Sequence, residues 1–248
     1  MLTNAQTEGA ATVSALREFL ARTPRPSCMR SDAAQTGRML RALIDAQLDR
    51  LPLPGSGDTH ARWQALGAVA GFDLSLVRLY EGHTDALAIL AELDGAPPEP
   101  GTSWGVWAAE PPNARLLATG DSGTGALRLQ GTKAWCSGAA SLTHALVTTW
   151  NERDESVLVA VDLRQPGVKV TDSGWSAVGM RASASVDVLF DDVPARRIGA
   201  PRAYLERPGF WQGSAGIAAC WHGAAASIAN FVVRNVRDAH QSERPADP

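Results

Sequence analysis

The feature that most limits what this chain can fold into is a change of rhythm near residue 100. Between Ser103 and Ala200 lie "SWGVWAAE", "ARLLATG", "GALRLQGTKAW", "HALVTTW", "SVLVAVDL", "VKVTDS" and "ASVDVLFDDV". Each is short, alternating or β-branched, and bounded by turn residues, which is the pattern of half-buried strands. Seven such segments in about a hundred residues predict an antiparallel sandwich or barrel.

The flanks follow a different period. "ATVSALREFLAR" (11–22) repeats apolar residues at helical spacing and is stopped by Pro24 and Pro26. Ser31 or Asp32 can cap "AAQTGRMLRALIDAQLDRL", which runs into the "PLPGSGD" loop. "HARWQALGAVAGF" and "DLSLVRLYEGHTDALAILAEL" (73–93) complete the N-terminal part, with Leu76, Leu79, Leu87 and Leu90 near one face. "DGAPPEPG" reads as a boundary. After Pro201 the chain returns to helix once and ends in the polar stretch "RDAHQSERPADP". The expected organisation is an α+β multidomain chain: a helical domain over 1–100, a β-barrel or sandwich over 101–200, and the start of a second helical domain over 201–248.

Composition removes several function classes. A formal charge of -3 supplies no general attraction to nucleic acid or an anionic membrane. Cys28, Cys136 and Cys220 are widely spaced and form neither a zinc pattern nor a disulfide framework, so a reducing cytoplasm is expected. The N-terminus lacks the basic start and apolar run of a secretion signal. The nearest approach to a membrane span, "GSAGIAACWHGAAASIANFVV" (213–233), is rich in Gly and Ala and contains His222. Its small residues suit close helix packing, and no span is expected.

Few motifs point to chemistry. "GDSGTG" (120–125) lacks the Lys and following helix of a phosphate loop and reads as a hairpin turn. His60, His83, His144, His222 and His240 show no metal-ligand spacing, and His83 reads as a hydrogen-bonded structural histidine. No metal site is expected. Ser137 has no nearby acid and base for a triad.

"GTKAWCSGA" (131–139) is more distinctive. Gly131 permits a tight turn, Lys133 begins a strand, and alternation places Trp135 and Ser137 on one face with Cys136 on the other. An indole and a hydroxyl on one face offer a flat apolar contact and a hydrogen bond to a planar polar ring. A buried Trp followed by a strand-end Ser is the alternative reading of the same residues.

"WAAEP", "LRLQGTKAWCSGA", "SVLVAVDLRQPGVKV" and "WSAVGMRASASVDVLFDDVPA", in that order, resemble the middle domain of the acyl-CoA dehydrogenase family over about 103–196. The flanking helical stretches resemble that family's other domains more loosely. The resemblance implies helical domain, β-barrel and helical bundle, assembled as an oligomer, with FAD between the barrel and the C-terminal helices. It implies α,β-dehydrogenation of an acyl-CoA, with hydride transfer to the flavin and, in many relatives, an electron-transfer flavoprotein as acceptor. By position it makes Trp135, Ser137, Val106, Ala108 and Ala109 flavin-contacting residues.

The departures are specific. Ala109 stands where the family has Thr before Glu-Pro, so only its backbone could bond the flavin, and "PNAR" replaces the family's A-G-S-D. About forty-five residues follow Pro201, fewer than the family's bundle. The proton-abstracting Glu has no counterpart; the nearest acid, Glu206 in "YLERPGF", is expected to be a solvated surface residue. The catalytic residue is therefore unassigned. The expected function is an acyl-CoA dehydrogenase-like flavoenzyme. The alternative is a noncatalytic relative or remnant that binds flavin or acyl groups, or interacts, alongside a partner supplying helices.

Overall fold

The computed structural model describes residues 4–25, 32–93, 98–120, 126–174 and 176–242. Helices α1 (Asn4–Arg22), α2 (Ala33–Asp45), α3 (Thr59–Phe72) and α4 (Leu74–Leu93) precede strands β1 (Trp104–Trp107), β2 (Leu116–Gly120), β3 (Ala126–Cys136), β4 (His144–Trp150), β5 (Ser156–Asp162), β6 (Val168–Gly174) and β7 (Val186–Ile198). A 3-10 turn, Arg181–Ser183, precedes β7. Three helices follow: α5 (Ala203–Glu206), α6 (Phe210–Ser214) and α7 (Gly216–Ser242). The chain therefore returns to helix three times rather than once, because Pro208 and Gly209 interrupt the first attempt.

Asp32, not Ser31, caps α2: its Oδ1 accepts the Gln35 N–H at 2.6 Å. α2 stops at Asp45, short of the expected 51, where Gln47 takes a positive φ of 56°. α4 buries Leu76, Leu79, Tyr80, Ile89 and Leu90 and lies between the other helices and the β-domain.

The seven segments read from the sequence are the seven strands. β4, β2, β3, β7 and β5 close into a ring, because β4 pairs with both β2 and β5. β1 adds to β4, and β6 adds to β7. The barrel is not wholly antiparallel: β1–β4 and the single β2–β4 pair, Leu117 with Trp150, run parallel. The expected turn at 120–125 falls mostly on 121–125, outside the described residues; the flanking β2 and β3 pair antiparallel down to Gly120 with Leu127.

Gly131 is not a turn residue. It sits inside β3 at a bulge, with φ 124°, and a Cβ there would lie 2.4 Å from the Arg115 carbonyl oxygen. Lys133 likewise lies well inside β3 rather than at its start.

α7 crosses α3 at a glycine contact, where a Cβ on Gly223 would lie 2.2 Å from the Gly67 carbonyl oxygen. Ser227 Oγ donates to the Gly71 carbonyl at 2.8 Å on the same side. The small residues at 213–233 thus serve close packing, as expected. By length and composition, however, Phe210–Asp238 is long and apolar enough to cross a membrane. It exposes Trp221, Ile228, Phe231 and Val232.

Candidate functional site

The end of β1, the end of β3, α4 and the 3-10 turn meet at one rim of the barrel. Between Lys133 and Cys136, three steps on β3 oppose the two from Val188 to Val186 on β7, so one residue is bulged out. Trp135 is that residue's neighbourhood. Its φ is 57°, a left-handed conformation costing a non-glycine residue about 1–2 kcal/mol, and its side chain is 50% exposed. The Trp135 N–H faces Asp187 Oδ1 at 3.4 Å, outside the regular ladder.

The bulge overturns the simple alternation. Trp135 points to solvent, whereas Ser137 is buried. Ser137 Oγ lies 2.7 Å from Ser185 Oγ, which lies 3.0 Å from Ser183 Oγ. Three hydroxyls in a row retain more hydrogen-bond capacity than these two bonds use. The Ser137 carbonyl accepts from Trp107 Nε1 at 3.2 Å. Val106 and Ser137 meet, with Leu79, Gly82 and Trp107, around a cavity of only about 10 Å³. Ala108 and Ala109 are half-buried just past the end of β1. Of the five expected residues, Val106 and Ser137 thus share an inner wall, while Trp135 stands on the outer surface.

The pair that braces this rim escaped the sequence reading. Lys133 is 2% exposed, and its Nζ donates to Glu110 Oε1 at 2.9 Å and to the Thr148 carbonyl at 2.7 Å. Thr148 Oγ1 donates to the same carboxylate oxygen at 2.6 Å, and Trp150 Nε1 to the other. Burial pulls the Lys133 ammonium below its ordinary pKa against the pull of Glu110. Burial alone would raise Glu110, but bonds from Thr148, Lys133 and Trp150 outweigh it and hold the carboxyl below its ordinary value. The signal was present: an ammonium in a strand whose other inward positions are apolar needs a carboxylate nearby.

Two other assignments are clear. His83 is buried, with Nε2 3.1 Å from Asp49 Oδ2, and its Nδ1 accepts the Trp104 N–H at 3.2 Å, as a structural histidine. Glu206 is an exposed partner of Arg202 at 3.0 Å. Its neighbour Arg207 is the buried group, held by Glu92 at 3.1 Å and Asp85 at 3.4 Å.

A flavin would be tested here by ring and main chain. A cavity of about 10 Å³ admits no isoalloxazine, which needs hundreds of Å³. The outward indole of Trp135 and the main chain past β1 do suit one: an aromatic plane for the ring face, and amide groups for its polar edge. The residues fit a flavin lying on the rim, not inside it.

No family model matches the chain. It is 39% identical over 77 residues to the amino sugar nitrososynthase DnmZ of Streptomyces peucetius, a match spanning 29% of this chain and 19% of that protein. All of the chain superposes on 68% of KijD3 in complex with dTDP, with a TM-score of 0.70 and 21% identity. A second KijD3 structure holds FMN and dTDP-3-amino-2,3,6-trideoxy-4-keto-3-methyl-D-glucose; it gives a TM-score of 0.67 and 21% identity over 100% of this chain and 67% of that one. Butyryl-CoA dehydrogenase from Megasphaera elsdenii matches with a TM-score of 0.68 and 15% identity, over 92% of this chain and 67% of that one. The fold is that of the acyl-CoA dehydrogenases, and it is shared with the nitrososynthases.

Proposed function

We propose that the chain forms the flavin-facing wall of an oxidoreductase. The observation that carries this reading is Trp135: a large apolar ring held half-exposed, on a strained bulge, at the rim of the barrel. Strain of this kind persists where surrounding structure over-determines it and concentrates at ligand sites. Trp135 would stack on the ring of FAD or FMN, and the main chain of Ala108 and Ala109 would meet its polar edge. Val106 and Ser137 would back the rim, with Ser183 and Ser185 fixing the Ser137 hydroxyl. The flavin supplies two-electron redox chemistry; the chain orients it and excludes water from one face.

The reaction class we favour is oxidation of an amino sugar nitrogen, because the 39% local identity is to an amino sugar nitrososynthase. The second reading is α,β-dehydrogenation of an acyl-CoA, supported by the ordered motifs from Glu110-Pro111 to "GMRASAS" and by the fold. An electron-transfer flavoprotein as partner belongs to that second reading only. Under either, the exposed face of α7 would be covered in a homo-oligomer or by a partner's helices.

Titration of the purified protein with FMN and FAD, followed by flavin absorbance and Trp fluorescence, tests the shared core. Loss of colour with an acyl-CoA under anaerobic conditions would select dehydrogenation; an N-oxidised amino sugar nucleotide, formed with reduced flavin and dioxygen as the source of the added oxygen and detected by mass, would select the first class. Failure to take up either flavin would overturn both.

A further inference from the structure

α1, α3 and α7 enclose a cleft of about 890 Å³, away from the β-domain rim. Arg17, Arg25, Arg234, His60 and His222 line it together with Trp63, and no Asp or Glu does. Among the described residues no carboxylate lies within ion-pair distance of those three arginines; the acid next to Arg17, Glu18, turns to Arg22 at 3.6 Å. Guanidinium groups gathered without a counter-ion repel one another, and an anionic ligand removes that cost.

Two of the cations and the indole are also held in place. Arg25 Nη1 donates to the Gly71 carbonyl at 3.1 Å, with its guanidinium 5.5 Å from the centre of the Phe72 ring. Arg234 Nε donates to the Asn230 carbonyl at 3.2 Å. Trp63 Nε1 donates to the Gln212 carbonyl at 3.4 Å, which fixes its indole at the cleft wall. Each side chain so held loses less entropy when a ligand binds.

The cleft does not end blindly. A second cavity of about 490 Å³ shares Arg25, Gly71, Phe72 and Ser227 with it and extends to Met180 and Arg181. Two residues beyond Arg181, Ser183 begins the hydroxyl row that ends at Ser137. A long ligand anchored among the arginines could therefore extend toward the rim.

We infer that this cleft binds a nucleoside diphosphate, with the diphosphate on Arg17, Arg25 and Arg234 and the base against Trp63. Its role as a substrate anchor rests on the flavoenzyme reading above; its role as an anion site does not. The same chemistry is presented by a sugar nucleotide and by the adenosine diphosphate end of coenzyme A.

The experiment is calorimetric titration of the full chain with dTDP, ADP, coenzyme A and inorganic phosphate, at two salt concentrations. It is repeated on Arg17→Gln/Arg234→Gln, whose substituted positions are exposed, with circular dichroism to confirm folding. The expected result is nucleoside diphosphate binding that weakens with salt and at least tenfold in the double variant, while flavin uptake is unchanged. Tighter dTDP than coenzyme A identifies a sugar nucleotide, and the reverse identifies a coenzyme A ester. Binding of inorganic phosphate as tight as that of dTDP or ADP, equal binding by the double variant, or no binding by the wild type would each overturn the proposal. Loss of the flavin reading alone would leave the titration intact, so the two failures are separable.

Discussion

The ammonium of Lys133 and the carboxylate of Glu110 lie 2.9 Å apart and tie β3 to the segment that leaves β1. Lys133 has no route to water: its side chain is 3% exposed against 30% for Glu110. Glu110→Gln leaves a buried ammonium with neutral partners only. It should cost about 3 kcal/mol, at the lower end of the range for broken buried pairs because Glu110 reaches solvent. Urea denaturation measures this, and pairing the change with Lys133→Met should restore much of the loss. Wild-type stability in Glu110→Gln would show that the pair does not brace the rim.

Trp135→Gly separates fold from function. Glycine relieves the left-handed strain of about 1–2 kcal/mol, while its greater freedom in the unfolded chain costs about 0.5–1 kcal/mol. Thermal stability should therefore change little or rise slightly. Flavin affinity should fall at least tenfold with the loss of the ring. An unchanged flavin titration would return Trp135 to a structural role.

Gly223→Ala tests the helix crossing. Its new Cβ would meet Gly67 backbone atoms at 2.2 to 2.6 Å, so α7 must move away from α3. Overpacking of this kind costs about 1–3 kcal/mol. Lower melting temperature and faster amide exchange in α7 are expected; a melting curve identical to wild type would contradict the crossing.

Glu81 sets a pH dependence. Burial, opposed by Arg78 at 2.8 Å, pushes its carboxyl from 4.5 up to about 7. The folded chain holds this proton where the unfolded chain has lost it, so stability from this group falls as pH rises from 4.5 to about 7. Denaturation of wild type and Glu81→Gln at pH 5 and 7.5 checks the sign. The variant should gain on the wild type at the higher pH, and a constant difference would refute it.

Strand and helix order was legible because side-chain period reports burial directly, and all seven strand segments appear where alternation places them. The bulges at Gly131 and Trp135 were not legible. The first inserts one residue into β7 opposite Gly131 and the second one residue into β3 at Trp135; a single insertion reverses the face of everything after it, so Ser137 turns inward where strict alternation sends it out with Trp135. Closure of the ring through Leu117 and Trp150 likewise depends on pairing between distant strands that local pattern does not encode. His83 was readable from its polar ring amid leucines, whereas Glu110 was passed over as part of a motif and its partner Lys133 as the start of a strand.

Among the described residues β1 pairs only with β4 and β6 only with β7, so each keeps one edge without a partner strand. β1 is four residues long and packs beneath α4, with Trp104 and Ile89 in one apolar cluster. The open edge of β6 carries exposed Lys169 and Asp172. Charges on such an edge discourage a second chain from adding itself there. For protein engineering, Lys169 and Asp172 are therefore charges to keep, since β6 reaches the rim through the Thr171 bond to the Asp187 carbonyl.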